Sequence, residues 1–259
     1  MKLSHEKRVA HGTHIKRVEI DPRLRVRIPT GIQLVDEAVG YGGFVPSSVM
    51  MFTGDAGCGK TTLALQIADS LTKQGHLVLF NTGEQAAAMV AITAERMGLS
   101  HGFYIGQDQQ LDKIFAHLDV LKARAIPGSK TFLIQDSLPT VFDPRGTDSN
   151  QWMNGATPQV VAEHFVNHAQ RTFDVVIFIN HVTKGGQFAG KNKILHTVDS
   201  HAHLFFDKDK KSPTFGERLF RVGKNRWGMS GVTSIVSMTE KGLVHKGKIT
   251  DFNPEEETA

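Results

Sequence analysis

Eight consecutive residues, Gly54-Asp55-Ala56-Gly57-Cys58-Gly59-Lys60-Thr61, follow the pattern G-x-x-x-x-G-K-[ST] between an apolar run and a helical one. The glycines let successive backbone N–H groups turn inward around phosphate oxygens, and the helix that follows presents its positive end to the same charge. Lys60 has the reach for β- and γ-phosphates, Thr61 offers a hydroxyl to Mg2+, and Thr62 is counted with the loop. The segment predicts binding of ATP or GTP. Cys58 lies inside it, and a helix N-terminus can lower a thiol pKa. That predicts a block of nucleotide binding on alkylation, against the plainer reading of a small residue that fits.

Three more polar residues follow apolar runs: Glu84 after 77–82, Asp136 after 131–135 and His181 after 175–180. If the runs are parallel strands, their carboxyl ends converge on one crevice beside the phosphate loop. Phosphoryl transfer needs charge neutralisation, an oriented nucleophile and a group that responds to the γ-phosphate. Asp136 then reads as the acid of the magnesium shell, Glu84 as the carboxylate that polarises the attacking water, and His181 as the γ-phosphate sensor.

The elements that must hold these groups show in the hydropathy pattern. Candidate strands at 49–53, 77–81, 131–135, 175–180, 202–206, 218–222 and 234–238 are nearly continuous in apolar character, as strands buried on both faces are. Between them, Leu63, Ala64, Ile67, Ala68 and Leu71 mark one helix face, and Leu111, Ile114, Phe115, Leu118 and Leu121 another; a third helix is expected from Pro158 to about Arg171. The alternation predicts an α/β fold, a mostly parallel sheet with helices on both faces. Loops are expected at 141–157, 183–200 and 207–216.

The 259 residues suit one domain, and Cys58 as the single cysteine excludes an intrachain disulfide or a multi-cysteine zinc module. No apolar run approaches a membrane span and no apolar signal segment follows Met1, so a cytosolic protein is expected. Residues 1–28 hold eight Lys/Arg against three acids, a +5 arm within a chain of net charge +4. Such an arm either neutralises phosphates or is a solvated terminus. His196, His201 and His203 straddle a loop and a strand with no carboxylate cluster beside them, which argues for ordinary histidines over metal ligands.

The phosphate loop, Asn81-Thr82-Gly83-Glu84-Gln85, Gln135-Asp136-Ser137, Asn180-His181-Val182-Thr183-Lys184 and above all Lys224-Asn225-Arg226-Trp227-Gly228 occur in order. In these the chain resembles the RadA/Sms family of bacterial recombination and repair ATPases, over about residues 27–243, with Trp where the family's K-N-R-F-G signature has Phe. The resemblance implies a RecA-like P-loop core using ATP and Mg2+, assembled as a homo-oligomer, a hexameric ring related to DnaB-type helicases, with single-stranded or branched DNA in its channel. It implies that Lys224 and Arg226 reach a neighbour's site, and that Lys184, Lys191 and Lys193 contact DNA, with Arg145 in a similar role. The family's four-cysteine zinc module and Lon-like domain have no counterpart, so a core-only relative is expected, divided as an arm at 1–26, a core at 27–243 and a tail at 244–259. Two other readings stay open: a KaiC-like or loader-type switch acting on a protein partner, and a RecA-like strand-exchange filament.

Overall fold

The computed structural model describes residues 12–40, 42–144, 157–181 and 193–249. Its centre is a nine-stranded sheet in the order β3-β2-β4-β5-β1-β6-β7-β8-β9. The strands are β1 (Val49–Gly54), β2 (Leu77–Thr82), β3 (Tyr104–Gly106), β4 (Thr131–Asp136), β5 (Val175–Ile179), β6 (Ser200–Phe206), β7 (Arg218–Asn225), β8 (Thr233–Thr239) and β9 (Gly242–Lys248). Pairings from β3 through β6 are parallel, and those from β6 through β9 are antiparallel. The helices are α1 (Gln33–Val39), α2 (Lys60–Lys73), α3 (Ala87–Arg96), α4 (Leu111–Lys122), α5 (Thr157–Thr172) and α6 (Lys193–Thr197).

Strand alternation divides the core. Met50 and Phe52 of β1 face one side, where Leu63, Ala64, Ile67, Ala68 and Leu71 of α2 and the apolar face of α1 cover them. Val49 and Met51 face the other side, under Ile114 and Leu118 of α4 and Val161, Phe165 and Ala169 of α5. Both faces of β1, β2, β4 and β5 are thus buried, which is why these strands read as unbroken apolar runs. On β7–β9 burial alternates, as expected of antiparallel strands wet on one side.

Every predicted strand and all three predicted helices are present, with four differences. The tail expected from 244 is, as far as Lys248, the outer half of β9, which pairs with β8 and fixes Leu243 to Gln66 of α2. Its residues are polar because the strand is an edge. The expected loop at 183–200 includes α6 and the start of β6. Helix α3 had no periodic signal, because its apolar residues surround it and only Val90 is buried. Strand β3 is three residues long and mostly exposed. Of the basic arm, the described part forms two short 3-10 turns, and Arg23 is committed within the chain: its guanidinium pairs with Asp21 at 2.6 Å and lies 3.6 Å over the Phe173 ring. Among the described residues no helix is long and apolar enough to cross a membrane.

Candidate nucleotide site

β1 ends in the phosphate loop, and two contacts fix its shape. Gly54 lies so close to β6 that a Cβ there would fall 1.8 Å from the Leu204 carbonyl oxygen, and Gly59 takes a left-handed φ of 99° as it leads into α2. Lys60 opens α2, and its Nζ donates to the carbonyls of Gly54 at 3.0 Å and Asp55 at 2.8 Å, across the mouth of the loop. Asp55 is paired with Lys208 at 2.7 Å, which holds its carboxyl below the usual range.

The strand order β2-β4-β5-β1 sets four carboxyl ends side by side. Thr61 Oγ1 donates to Asp136 Oδ2 at 2.7 Å. Glu84 Oε1 accepts from His181 Nε2 at 2.6 Å and from the Ser137 hydroxyl. Thr82 Oγ1 accepts from the backbone N–H groups of Glu84 at 3.3 Å and Gln85 at 3.2 Å, so β2 gives way to a defined turn. Lys60, Thr61, Glu84, Asp136 and His181 therefore surround one crevice.

Electrostatics separates the two acids. Burial pushes Asp136 above the usual carboxylate range, with the Thr61 hydrogen bond opposing. The His181 hydrogen bond holds Glu84 below its ordinary value, and the same contact raises His181 above that of a free imidazole. Asp136 Oδ1 is buried without a hydrogen-bond partner. An orphaned carboxylate oxygen beside a threonine hydroxyl is a hard oxygen donor set, and it fits Mg2+. Thr61 and Asp136 would hold the ion, whose charge offsets the burial of the carboxylate.

Cys58 is fully buried, and burial raises its thiol pKa, the reverse of the lowering expected from the helix N-terminus alone. His201 Nε2 and His203 Nδ1 meet on the Thr53 hydroxyl at 2.7 and 2.8 Å. Burial, then His203 and Lys224, lowers His201 to about 4. Among the described residues no group of three or more His, Cys, Asp or Glu is placed to hold a metal.

Lys224 and Arg226 stand apart from this crevice. Lys224 Nζ donates to the carbonyls of Leu195 at 2.7 Å, His196 at 3.2 Å and Val198 at 2.7 Å, at the C-terminal end of α6. Arg226 donates to Asp199 Oδ1 and to the His196 carbonyl, both at 3.0 Å. The cations thus stabilise the negative end of their own short helix. Lys193 is exposed at the start of α6, while Arg145, Lys184 and Lys191 lie outside the described residues. Ser137, quoted in a motif but given no role from the sequence, meets Glu84 Oε1 through its hydroxyl. The only available signal was a hydroxyl directly after the strand-end acid.

Fold and site together define the class: a RecA-like α/β P-loop ATPase core. A family model described as "ATPase: KaiC" matches residues 28–125. Along most of its length the chain is similar in sequence to bacterial proteins named DNA repair protein RadA. It is 32% identical over 222 residues to RadA of Brucella abortus, covering 84% of this chain and 44% of that protein. The identity is 29% over 231 residues to RadA of Mycolicibacterium smegmatis, covering 86% and 46%, and 32% over 220 residues to RadA of Streptococcus pneumoniae, covering 84% and 48%. The chain therefore spans a little under half the length of these relatives. A crystal structure of a KaiC-like protein from Pyrococcus horikoshii superposes with a TM-score of 0.66 at 18% identity, covering 85% of this chain and 99% of that one, which supports the fold.

Proposed function

We propose that this chain is an ATP-hydrolysing, DNA-binding motor of the RadA type, acting in recombination or repair by moving single-stranded or branched DNA. The observation that carries the reading is the meeting of Lys60, Thr61, Asp136, Glu84 and His181 at four neighbouring strand ends. In hydrolysis, water forms a bond to the γ-phosphorus and the bond to the β–γ bridging oxygen breaks, its electron pair leaving with ADP. The water's proton passes to Glu84, then to solvent. Lys60 exchanges the carbonyls of Gly54 and Asp55 for phosphate oxygens, and Thr61 and Asp136 would hold Mg2+, which would supply charge neutralisation there. His181, after β5, senses the γ-phosphate.

The family resemblance supports a hexameric ring in which Lys224 and Arg226 act on a neighbour's nucleotide, and DNA contacts from Lys184, Lys191, Lys193 and Arg145. Glycine and lysine in residues 183–193 suit phosphate binding without base reading. A second reading, a KaiC-like switch that assembles on a protein partner, draws on the KaiC-type match and on the hold that α6 has over both cations.

The test is ATP hydrolysis with and without single-stranded DNA for the wild type, Lys60→Ala and Lys224→Ala. The motor predicts stimulation by DNA that weakens with salt, and loss of activity in both variants, of at least about 10³-fold for a trans-acting cation. Hydrolysis indifferent to DNA and intact in Lys224→Ala favours the switch.

A further inference from the structure

The geometry points to Ser137 as a positioning residue that aims the Glu84 carboxylate at the attacking water, an inference that rests on reading Glu84 as the base. Two donors reach Glu84, and both fall on the same oxygen: the Ser137 hydroxyl and His181 Nε2 each meet Oε1. Among the described residues no hydrogen bond reaches Oε2. With one oxygen held from two directions, rotation of the carboxylate is arrested and Oε2 is the oxygen left to meet a water.

The two donors differ in permanence. His181 is half-exposed, so its ring has room to turn toward a γ-phosphate. Ser137 is fully buried and cannot. Its carbonyl accepts from Gln135 Nε2 at 3.2 Å and from Thr140 Oγ1 at 2.8 Å. Gln135 Oε1 in turn accepts from Asn81 Nδ2 at 2.8 Å, which also donates to the Asp108 carbonyl at 2.8 Å. A chain of buried amides from β2 to β4 thus fixes the serine from behind, and a fully satisfied polar chain of this kind is stiff.

Gly83 completes the arrangement. A Cβ on it would lie 2.2 Å from Thr140 Oγ1 and 2.5 Å from Thr140 Cβ, so only glycine lets the 3-10 turn Leu138–Thr140 close beneath the end of β2. That closure brings Ser137 under the residue that follows the glycine, Glu84. When His181 leaves, Ser137 is the donor that keeps the base aimed.

Steady-state hydrolysis by the full chain, with ATP binding measured separately, tests this on Ser137→Ala, Ser137→Thr, Thr140→Val and Glu84→Gln. The expected result for Ser137→Ala is a fall in kcat of roughly tenfold to a hundredfold, the scale of a misaimed catalytic group. KM for ATP and the Mg2+ requirement stay within about twofold. Ser137→Thr, which keeps the hydroxyl, recovers activity. Thr140→Val, which loosens the Ser137 carbonyl without touching the base, gives a smaller loss confined to kcat, and decides the matter should Ser137→Ala not fold. An unchanged kcat, or a loss that appears in KM or the Mg2+ requirement, overturns the inference. Wild-type hydrolysis by Glu84→Gln removes the base assignment and the inference with it; an inactive Glu84→Gln beside a fully active Ser137→Ala removes the inference alone.

Discussion

At the scale of single residues, the crevice is organised by unequal treatment of two acids. Asp136 is buried beside a hydroxyl and keeps one oxygen unpartnered, which suits a hard cation. Glu84 is half-open and holds an imidazole. The Glu84–His181 pair makes a pH statement with two limbs. The raised His181 stabilises the fold below the ordinary imidazole pKa, and that contribution is lost as pH rises through its raised value. The lowered Glu84 contributes above the ordinary carboxylate pKa, and its share is lost as pH falls through the lowered value. The pair is intact between those limits. In an imidazole NMR titration, His181 should therefore show a midpoint above 6.5 in the wild type, and Glu84→Gln should bring it down toward 6.5. The same midpoint in both proteins would mean that the contact does not persist in solution.

At the scale of elements, the sheet changes character between β6 and β7, and the two parts answer differently to damage. The parallel strands are locked between helices, whereas β9 is an edge whose Leu243 and Gln66 contacts tie it to the helix behind the phosphate loop. A chain ending at residue 243 should melt about 5 °C lower than one ending at 249, corresponding to ~2 kcal/mol. Equal melting of both would show that β9 adds nothing to the fold.

This boundary also shows where the sequence was legible. Buried parallel strands carry an apolar signal that needs no context, so β1, β2, β4 and β5 could be placed from their residues. In β9 the apolar side chains end at Val244, and Lys246 and Lys248 read as tail until pairing with β8 explains them. Lys60, Thr61, Glu84, Asp136 and His181 were identifiable because each occupies a strand end or a phosphate-loop position. Ser137 was not, because its role depends on the close approach of Gly83 to Thr140, a tertiary contact without a local pattern. The grip of α6 on Lys224 and Arg226 was hidden for a related reason: backbone carbonyls are acceptors at every position, and only the fold shows which ones a cation meets.

At the scale of the whole molecule, the crevice and the Lys224–Arg226 end of β7 are separate places on one chain. If Lys224 serves a second copy, its loss and the loss of Lys60 damage different sites and can complement. A mixture of Lys60→Ala and Lys224→Ala chains should then hydrolyse ATP well above the sum of the two alone, and a mixture that only adds would confine both residues to their own chain. The bonding of Lys224 gives such an exchange a threshold. An ammonium has three protons, and here three carbonyls are there to receive them. A phosphate or carboxylate from outside can only be served by withdrawing a proton from α6, so the end of that helix loosens in the same act by which the lysine is lent.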